Sequence, residues 1–498
     1  MSPGHLDPAK PAFLEGGWAS LFARRLWKPT LVLLCLAGVA WAFHISSGFP
    51  ASGSGVLTAS GVRVLAIFCA ALVLWVTEAT PLIVTGLGVF TALVMAQIPV
   101  EAVDAGTVKQ RIAGAAEVSA WYGDRVIFFL LGIFLIAGAL TASHVVDHLA
   151  LRLLNVVGTS PRRLRQGVFW TAFFASWLMA EHAVAAMLFP VVARIRDALG
   201  RPRLSSRYIG SLFLGLAWGC TIGGIVTYLG GARIALAMGI VQKAGFETPG
   251  FLDLMLHSLP IAIPFGIIAA LLLEIAFPID VPSVEPARVA LAQRRRELGR
   301  FGPRQWGVSL VILLTIAAWA FFGVKHLAPV ALASAAFLLA SGLVSWREVQ
   351  AHVPWDLLIM EGGALALCGA LQATGSAAWA ANLFFGHVSH DPLVLVGLIC
   401  VVVIVLTELF SNPAVVTLMV PLLIGMAPAL GMDPTQLALL VALPCGLSFV
   451  LPLGSPPLAI AFAGGEYRVR TVMGWGVLLD LLPIPLFIAA YAWIWPRL

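Results

Sequence analysis

The chain has 498 residues, of which 60% are hydrophobic and only 11% are charged, and its formal net charge is +6. Because a soluble protein carries about a quarter charged residues, lipid must be the solvent for most of this chain, which excludes an ordinary soluble protein. The positive excess follows from membrane topology, as argued below, and does not indicate a nucleic-acid partner.

The polar, basic residues 1–28 are interpreted as a cytoplasmic segment before a retained first helix, in preference to a cleaved secretory signal. A bilayer core needs about 20 apolar residues per helix. On that basis the sequence predicts eleven membrane spans, near 30–46, 62–79, 82–98, 125–145, 207–241, 254–277, 306–324, 328–344, 355–373, 436–464 and 472–495.

Four of the apolar stretches contain an internal break. The spans 207–241 and 436–464 are too long for one plain helix and carry Gly or Pro centrally, so they predict broken helices. The stretches 166–195 and 393–425 have a polar break at the centre and predict hairpins that enter and leave on the same side. The predicted fold is an all-α polytopic membrane protein with about 11 transmembrane helices plus two re-entrant hairpins.

Positive charge predicts the orientation of these spans. With the N-terminus in the cytoplasm, most of the 30 Lys and Arg residues fall in the inner segments, and the C-terminus lies outside. The same bias puts the first hairpin on the inner side and the second on the outer side, so the halves are inverted-topology repeats. The first half is 29–279 and the second is 306–498. The basic segment 280–305 between them is interpreted as a cytoplasmic linker that anchors the topology.

Two short motifs occur once in each half. AEHAVAAMLFP (180–190) and SNPAVVTLMVP (411–421) both begin with polar residues and end in apolar-apolar-Pro. TYLGGARIALA (227–237) and LPLGSPPLAIA (451–461) follow at almost the same offset. A polar, Gly/Pro-broken element repeated in two halves is typical of a secondary transporter, in which the broken elements meet near the bilayer midplane and form the substrate site.

Four stretches resemble the divalent anion/sodium symporter (DASS) family, within the wider ion transporter superfamily. They are WVTEATPLIVTGL (75–87), LRLLNVVGTSPRRL (151–164), VPWDLLIMEGGALALCGAL (353–371) and SFVLPLGSPPLAIAFAGG (448–465). The resemblance runs from about residue 62 to the C-terminus. It implies transport of dicarboxylates, citrate or sulfate, usually with sodium, by a homodimer whose transport part moves against a scaffold part.

The first half departs from the family pattern, in which each hairpin tip carries Ser-Asn-Thr and each broken helix a Thr-Pro-Pro-Asn-like turn. AEH (180–182) stands where the first Ser-Asn-Thr should fall, and ARI (232–234) replaces the first Pro-Pro-Asn. The second half has SNP (411–413) and SPPL (455–458) at the corresponding places. The second half therefore keeps much of the family site, whereas the first is rebuilt around charge.

The candidate binding residues follow from these motifs. The predicted substrate- and ion-binding residues are Glu181, His182, Thr227, Gly230, Arg233, Ser411, Asn412, Pro413, Gly454, Ser455 and Pro456. A sodium ion is implied at Ser411, Asn412, Gly454 and Ser455, and no other metal is expected. Asn412 is predicted to cap a helix that has Pro413 in its first turn.

Arg233 should have a partner, because a lone Arg at mid-bilayer costs roughly 2.5–3.5 kcal/mol on insertion scales. We expect it to pair with Glu181 or with bound substrate, and to stand where a cation sits in relatives. The alternative is a structural ion pair with no role in transport. His182 can titrate near neutrality or be a satisfied buried histidine.

Other acidic residues in apolar stretches are weaker candidates. Glu78 is expected to hold a scaffold contact, and Glu361 to carry protons or to face water. Glu408 precedes the second tip and is expected to line that hairpin. Glu274 and Asp480 are expected to be interfacial.

The predicted function is secondary active transport of a small anion by alternating access in the bacterial inner membrane. Sodium coupling at the second-half site is expected, with proton coupling through Glu181 or His182 as the rival. The alternatives are an anion exporter, a sodium/proton antiporter of the same superfamily, or a non-transporting membrane sensor. No His-Glu-x-x-His or Walker-type motif occurs, so neither an enzyme nor an ATP-driven pump is predicted. No cofactor is expected beyond Na⁺ or H⁺ as coupling ion.

Overall fold

The computed structural model describes most of the chain as a helical membrane protein. The described residues are 18–50, 57–77, 79–104, 107–156, 160–200, 206–323, 326–377, 379–380, 391–451, 454–464, 467 and 469–497. Glu78 lies outside the described residues, as does most of the predicted N-terminal segment 1–28, whose described part is helical from Trp18.

Within the described residues, twelve helices precede the second half. They are α1 (Trp18–Ile45), α2 (Ala59–Thr77), α3 (Leu82–Met95), α4 (Ala115–Tyr122), α5 (Arg125–Ala142), α6 (Val145–Val156), α7 (Pro161–Ala175), α8 (Glu181–Leu199), α9 (Arg207–Gly223), α10 (Ala232–Lys243), α11 (Phe251–Ala276) and α12 (Glu285–Leu298). The predicted linker 280–305 thus contains a helix of its own.

Ten further helices build the second half within the described residues. They are α13 (Pro303–Phe322), α14 (Leu327–Ala340), α15 (Trp346–Gln350), α16 (Trp355–Ala373), α17 (Pro392–Leu409), α18 (Asn412–Leu430), α19 (Pro434–Ala442), α20 (Pro456–Ala463), α21 (Val469–Leu481) and α22 (Pro483–Ala489). A 3₁₀ turn, Pro444–Gly446, follows α19, and a π-helical turn, Ala490–Ile494, follows α22.

The structure is that of an integral membrane protein with several spans. Seven segments of the described residues are long and apolar enough to cross a bilayer: Trp27–Gly48, Ala115–Ala142, Phe251–Ala276, Pro303–Phe322, Trp355–Ala373, Pro392–Leu409 and Val472–Ile494. Five shorter apolar helices accompany them. Both predicted broken helices are interrupted, one between α9 and α10 and the other between α19 and α20.

One short β-hairpin accompanies the helices of this all-α membrane protein. Strands β1 (Pro99–Asp104) and β2 (Thr107–Ile112) pair antiparallel, with Val103 opposite Val108. The segment is rich in Val, Thr and Ile, whose branched side chains favour strands. Apolar-span counting misses such a feature because the two strands are short and partly polar.

The two halves interlock through glycine contacts. A Cβ on Gly86 of α3 would overlap the backbone of α16 at Ile359, and Gly363 of α16 lies against Gly86. Gly132 of α5 lies equally close to Ala331 of α14. Without a hydrophobic driving force in lipid, small residues let helices approach closely enough for strong packing. These contacts join helices of the first half to helices of the second.

A second set of contacts between the halves surrounds the breaks. Helix α8 packs against α20, and α18 packs against α10. In each case a helix that follows a polar tip in one half meets the second segment of the broken helix in the other half. This crossed arrangement brings the polar breaks of both halves into the same region.

Candidate functional site

The first break is tied to the tip of the first hairpin by hydrogen bonds. Between α9 and α10, the Thr227 hydroxyl donates to the Trp177 carbonyl (2.7 Å) and accepts from the Gly230 amide (3.3 Å). The Gly230 carbonyl in turn accepts from the Glu181 amide (3.0 Å). A Cβ on Gly230 would overlap the Ser176 carbonyl oxygen. Thr227 and Gly230 therefore hold the tip against the break.

The predicted pair between Glu181 and Arg233 forms across this junction. Arg233 Nη1 donates to Glu181 Oε1 (2.9 Å), and Nη2 donates to Oε2 (3.1 Å). The two side chains are only 4% and 3% exposed. Because the contact is bidentate, the carboxylate of Glu181 neutralises the guanidinium, and the positive charge of Arg233 is already paired in the absence of an anionic substrate.

Arg233 also connects the first break to the second. Its guanidinium lies against Gly446 in the 3₁₀ turn of the second broken helix, where a Cβ would overlap it. Its Nε is buried without a hydrogen-bond partner in the described part of the chain. The ion pair thus sits between the two halves.

His182 is exposed, unlike its neighbour Glu181. It is the second residue of α8, the helix that packs against α20.

At the predicted second hairpin tip, the N-cap residue of the following helix is Ser411 and not Asn412 as predicted. Helix α18 begins at Asn412, Ser411 is its extended N-cap residue, and Pro413 lies in the first turn. The Asn412 side chain cannot cap, because its Oδ1 accepts from the Thr407 hydroxyl (2.6 Å). The Ser411 hydroxyl is buried and has no hydrogen-bond partner within the described ranges.

The second break divides the four predicted sodium residues into two groups. Cys445, in the 3₁₀ turn, donates its thiol to the Asn412 carbonyl (3.2 Å). Ser455, before α20, instead reaches the Ser448 carbonyl (3.4 Å), and Gly454 packs on the Ser448 hydroxyl. Asn412 is therefore tied to the 3₁₀ turn, whereas Gly454 and Ser455 lie beyond the unwound segment 447–451. Pro456 begins α20 and is exposed.

Comparison with known proteins shows which family this chain belongs to. A profile of the citrate transporter family matches residues 72–446, which is more than half of the chain. The protein belongs to this family. It is accordingly a membrane transporter and not an enzyme.

Its relatives agree with that assignment. The chain is 28% identical to the "Sodium-dependent dicarboxylate transporter SdcS" of Staphylococcus saprophyticus, with 88% of this chain and 87% of the relative covered. An "Uncharacterized transporter" of Haemophilus influenzae is 28% identical, with 85% and 89% covered. These relatives confirm the resemblance seen in the motifs.

A solved structure gives the same fold. The crystal structure of the Alcanivorax borkumensis YdaH transporter superposes with a TM-score of 0.52 at 16% identity, covering 86% of this chain and 98% of that one. At this identity the likeness concerns the fold alone.

The sequence indicated Glu408 and Asp480 only as separate, weaker candidates and did not predict that they meet in this transporter. Glu408, at the end of α17, accepts hydrogen bonds from the unwound segment of the second break, at Ser448, Phe449, Val450 and Leu451. Asp480, predicted to be interfacial, is only 7% exposed and accepts from the same Phe449 amide (3.1 Å). The sequence feature that pointed to these two acids was the presence of an ionisable residue inside each of two apolar helices.

The remaining acidic candidates have separate environments. Glu361 is fully buried, and both its carboxyl oxygens lack a hydrogen-bond partner among the described residues, so it does not face water. Glu274 holds Arg165 of α7 through a charge-assisted pair and is half-buried. No group of three or more His, Cys, Asp or Glu side chains in the described residues could hold a metal ion.

Proposed function

We propose that this transporter is a secondary active carrier of small anions, dicarboxylates or comparable oxyanions such as sulfate, which couples uptake to a cation. The observation that carries the proposal is the crossed packing of α8 on α20 and of α18 on α10 around the two breaks. The relatives named sodium-dependent dicarboxylate transporters support both the substrate class and sodium as coupling ion.

We propose an inverted repeat of about eleven spans and two re-entrant hairpins. Helix lengths support it: at 1.5 Å per residue, the 12 residues of α10 and the 9 of α19 extend about 18 and 14 Å, roughly half of a bilayer core. Breaks next to such half-helices fall near the midplane. The 15 residues of α7 are likewise too short to cross, which fits a hairpin arm.

The anion would be held by the helix starts at the breaks. Pro413 of α18 and Pro456 and Pro457 of α20 have no backbone N–H group. The two helix starts would therefore attract an anion through their dipoles and through the remaining amides of Asn412, Ala414 and Leu458. Ser411 supplies a buried hydroxyl with a free hydrogen-bonding capacity, and the half-buried Asn412 and exposed His182 lie at the ends of the two hairpin helices. We assign sodium to the oxygens of Ser411, Asn412, Gly454 and Ser455, which lie in two groups at the second break.

The first cation site of relatives would be occupied permanently by a side chain. Arg233 places its guanidinium between the first hairpin tip and the second break, and Glu181 neutralises it there. Both carboxylate oxygens of Glu181 are engaged, which disfavours Glu181 as a proton carrier. The carrier would then bind fewer coupling ions than a relative with two open cation sites.

Uptake by the purified protein in proteoliposomes tests the proposal. Labelled succinate, citrate and sulfate are presented with an inward sodium gradient, with an inward proton gradient, or with neither. We expect accumulation of at least one of these anions with the sodium gradient. Ser411→Ala should weaken uptake and Ser411→Thr should preserve it. Absence of gradient-driven uptake of all three anions by folded, reconstituted protein would reject the function.

Topology and assembly belong to the same proposal. We place the N-terminus in the cytoplasm, the C-terminus outside the inner membrane, and two copies in a dimer. Labelling of single cysteines at the termini with a membrane-impermeant thiol reagent, in a cysteine-free background, measures the orientation. Mass measurement of the detergent-solubilised protein measures the copy number.

A further inference from the structure

A basic cavity of about 620 Å³ lies between α6, α12 and the start of α13. Its volume is within the range of about 300–1,000 Å³ that is typical of small-molecule sites. Four exposed arginines, here called the cavity arginines, line it: Arg152 of α6, Arg295 and Arg296 of α12, and Arg300 of the loop before α13. None of the described residues that line it is acidic. The cavity is therefore strongly positive.

The acids nearest to this cavity in the chain are already paired with other cations. Glu297 of α12 lies 2.8 Å from Arg194 and 3.5 Å from Arg294, measured between the nearest nitrogen and oxygen atoms. Asp147 of α6 lies 3.0 Å from the ring of His144. Within the described residues, none of the cavity arginines has a carboxylate at ion-pair distance. An anion in the cavity would therefore lower the repulsion between four like charges.

Phe301 holds the segments around the cavity together. The guanidinium carbon of Arg152 lies 5.3 Å from the centroid of the Phe301 ring, which is a cation–π contact. The ring of buried His148 meets Phe301 edge-on with centroids 5.3 Å apart, and the ring of Trp306 does so at 5.0 Å. The cavity is thus a packed feature at the meeting point of α6, the loop and α13. Positive charge that only anchors topology requires no such cavity.

Trp306 connects the cavity to an exposed apolar face of α13. It lines the cavity, its side chain is 63% exposed, and exposed Leu310, Leu313 and Leu314 follow it along the helix. These residues occupy positions i, i+4, i+7 and i+8, which lie on one face of a helix. Because α13 is long and apolar enough to cross a bilayer, this face is suited to contact with lipid. An acyl chain lying along it places its headgroup at the cavity.

We propose that this cavity binds an anionic phospholipid, whose phosphate group the cavity arginines hold while an acyl chain lies on the exposed face of α13. Arginine suits this role because its planar guanidinium can donate two hydrogen bonds to one phosphate. Basic pockets beside membrane helices recognise acidic lipid headgroups in the same way. A free phosphate ion has the same charge chemistry but makes no use of the apolar face. Since α12 also packs against α8, the bound lipid links the end of α13 to the helix that begins with Glu181.

Native mass spectrometry of the purified full-length chain in detergent, titrated with phosphatidylglycerol, tests the proposal. The cavity variant carries Arg295→Gln with Arg300→Gln, and the control variant carries Arg288→Gln with Arg294→Gln. The control removes the same number of charges at positions that do not line the cavity. We expect the cavity variant to bind its tightest phosphatidylglycerol about thirtyfold more weakly than the wild type, because two basic contacts are lost. The control variant should bind as the wild type does. Since both cavity positions are exposed, their substitution should not prevent folding.

A second measurement identifies the source of the bound phosphate group. Thermal unfolding of the wild type is followed with phosphatidylglycerol, phosphatidylcholine or inorganic phosphate at equal molar concentration. We expect only phosphatidylglycerol to raise the unfolding temperature, and this rise should be lost in the cavity variant and reduced in Trp306→Ala.

Three results would overturn the lipid site. The first is equal affinity for phosphatidylglycerol in the wild type and the cavity variant, and the second is an equal loss of affinity in the control variant. The third is stabilisation by phosphatidylcholine or by inorganic phosphate to the same extent as by phosphatidylglycerol. Both measurements record binding and not uptake, so their outcome is independent of the proposed transport function.

Discussion

Breaking the buried pair between Glu181 and Arg233 should strongly destabilise the protein. In Glu181→Met the guanidinium keeps its charge but loses its counter-charge in a place where the side chain is 3% exposed. Arg233→Met produces the reverse defect, since the carboxylate remains packed on Gly224 without its partner. Removing both charges together, in Glu181→Met with Arg233→Met, leaves no buried charge uncompensated.

The expected magnitude follows from burial and geometry. Removal of one partner of a buried pair costs about 3–5 kcal/mol, whereas replacing both partners with apolar residues is often neutral or stabilising. Each single substitution should therefore shift the unfolding equilibrium by about a hundredfold to a few thousandfold. The double variant should recover most of that loss, so that the mutant cycle gives a large favourable coupling between Glu181 and Arg233.

Reversible unfolding in mixed detergent micelles, followed by tryptophan fluorescence, measures these free energies. The exposed pair of Arg194 and Glu297 provides the control, with side chains 45% and 36% exposed, and Glu297→Gln should leave stability unchanged. If Glu181→Met is as stable as the wild type, or if the double variant is as unstable as the sum of the singles, Glu181 and Arg233 are not held as a buried ion pair and the prediction is wrong.

Three further substitutions test other parts of the structure. Gly86→Ala should destabilise the contact between α3 and α16, because the added Cβ would overlap the backbone of α16. Gly88→Ala in the same helix is the control, since its Cβ would meet nothing within 4 Å, and it should be neutral or stabilising by up to about 1 kcal/mol. The unfolding temperatures of the two variants are compared with that of the wild type. Thr227→Val should cost about 1–3 kcal/mol by leaving the Trp177 carbonyl and nearby amides unsatisfied, and Thr227→Ser should not. Hydrogen bonds from the N-cap residue of α15 lower the pKa of Glu348 from 4.5 to about 2. The stability that Glu348 adds is therefore complete above pH 4.5, and the difference between wild type and Glu348→Gln should narrow as the pH falls toward 2.

Much of the helical layout could be predicted locally. Long apolar runs predict helices because each residue must satisfy its own backbone hydrogen bonds in lipid. The breaks in the predicted helices 207–241 and 436–464 could be predicted because Gly and Pro interrupt otherwise apolar stretches. The pairing of Glu181 with Arg233 was also foreseeable, since each is the unexpected charge at a repeated motif and neither is stable alone in the membrane.

The cluster around Glu408 was decided by tertiary structure. Asp480 lies 72 positions further along the chain, and nothing in that spacing indicates that both acids meet one amide of the second break. The one-residue shift of the cap from Asn412 to Ser411 has the same origin, because Thr407 takes the Asn412 oxygen.

By itself, the sequence determined that this chain is a membrane transporter whose apolar helices carry polar breaks, because composition, apolar length and Gly/Pro position act locally along the backbone. The structure alone decided which breaks touch and which charges share a partner. Those contacts depend on how α8, α10, α18 and α20 cross in space, which is set by packing between segments far apart in the chain.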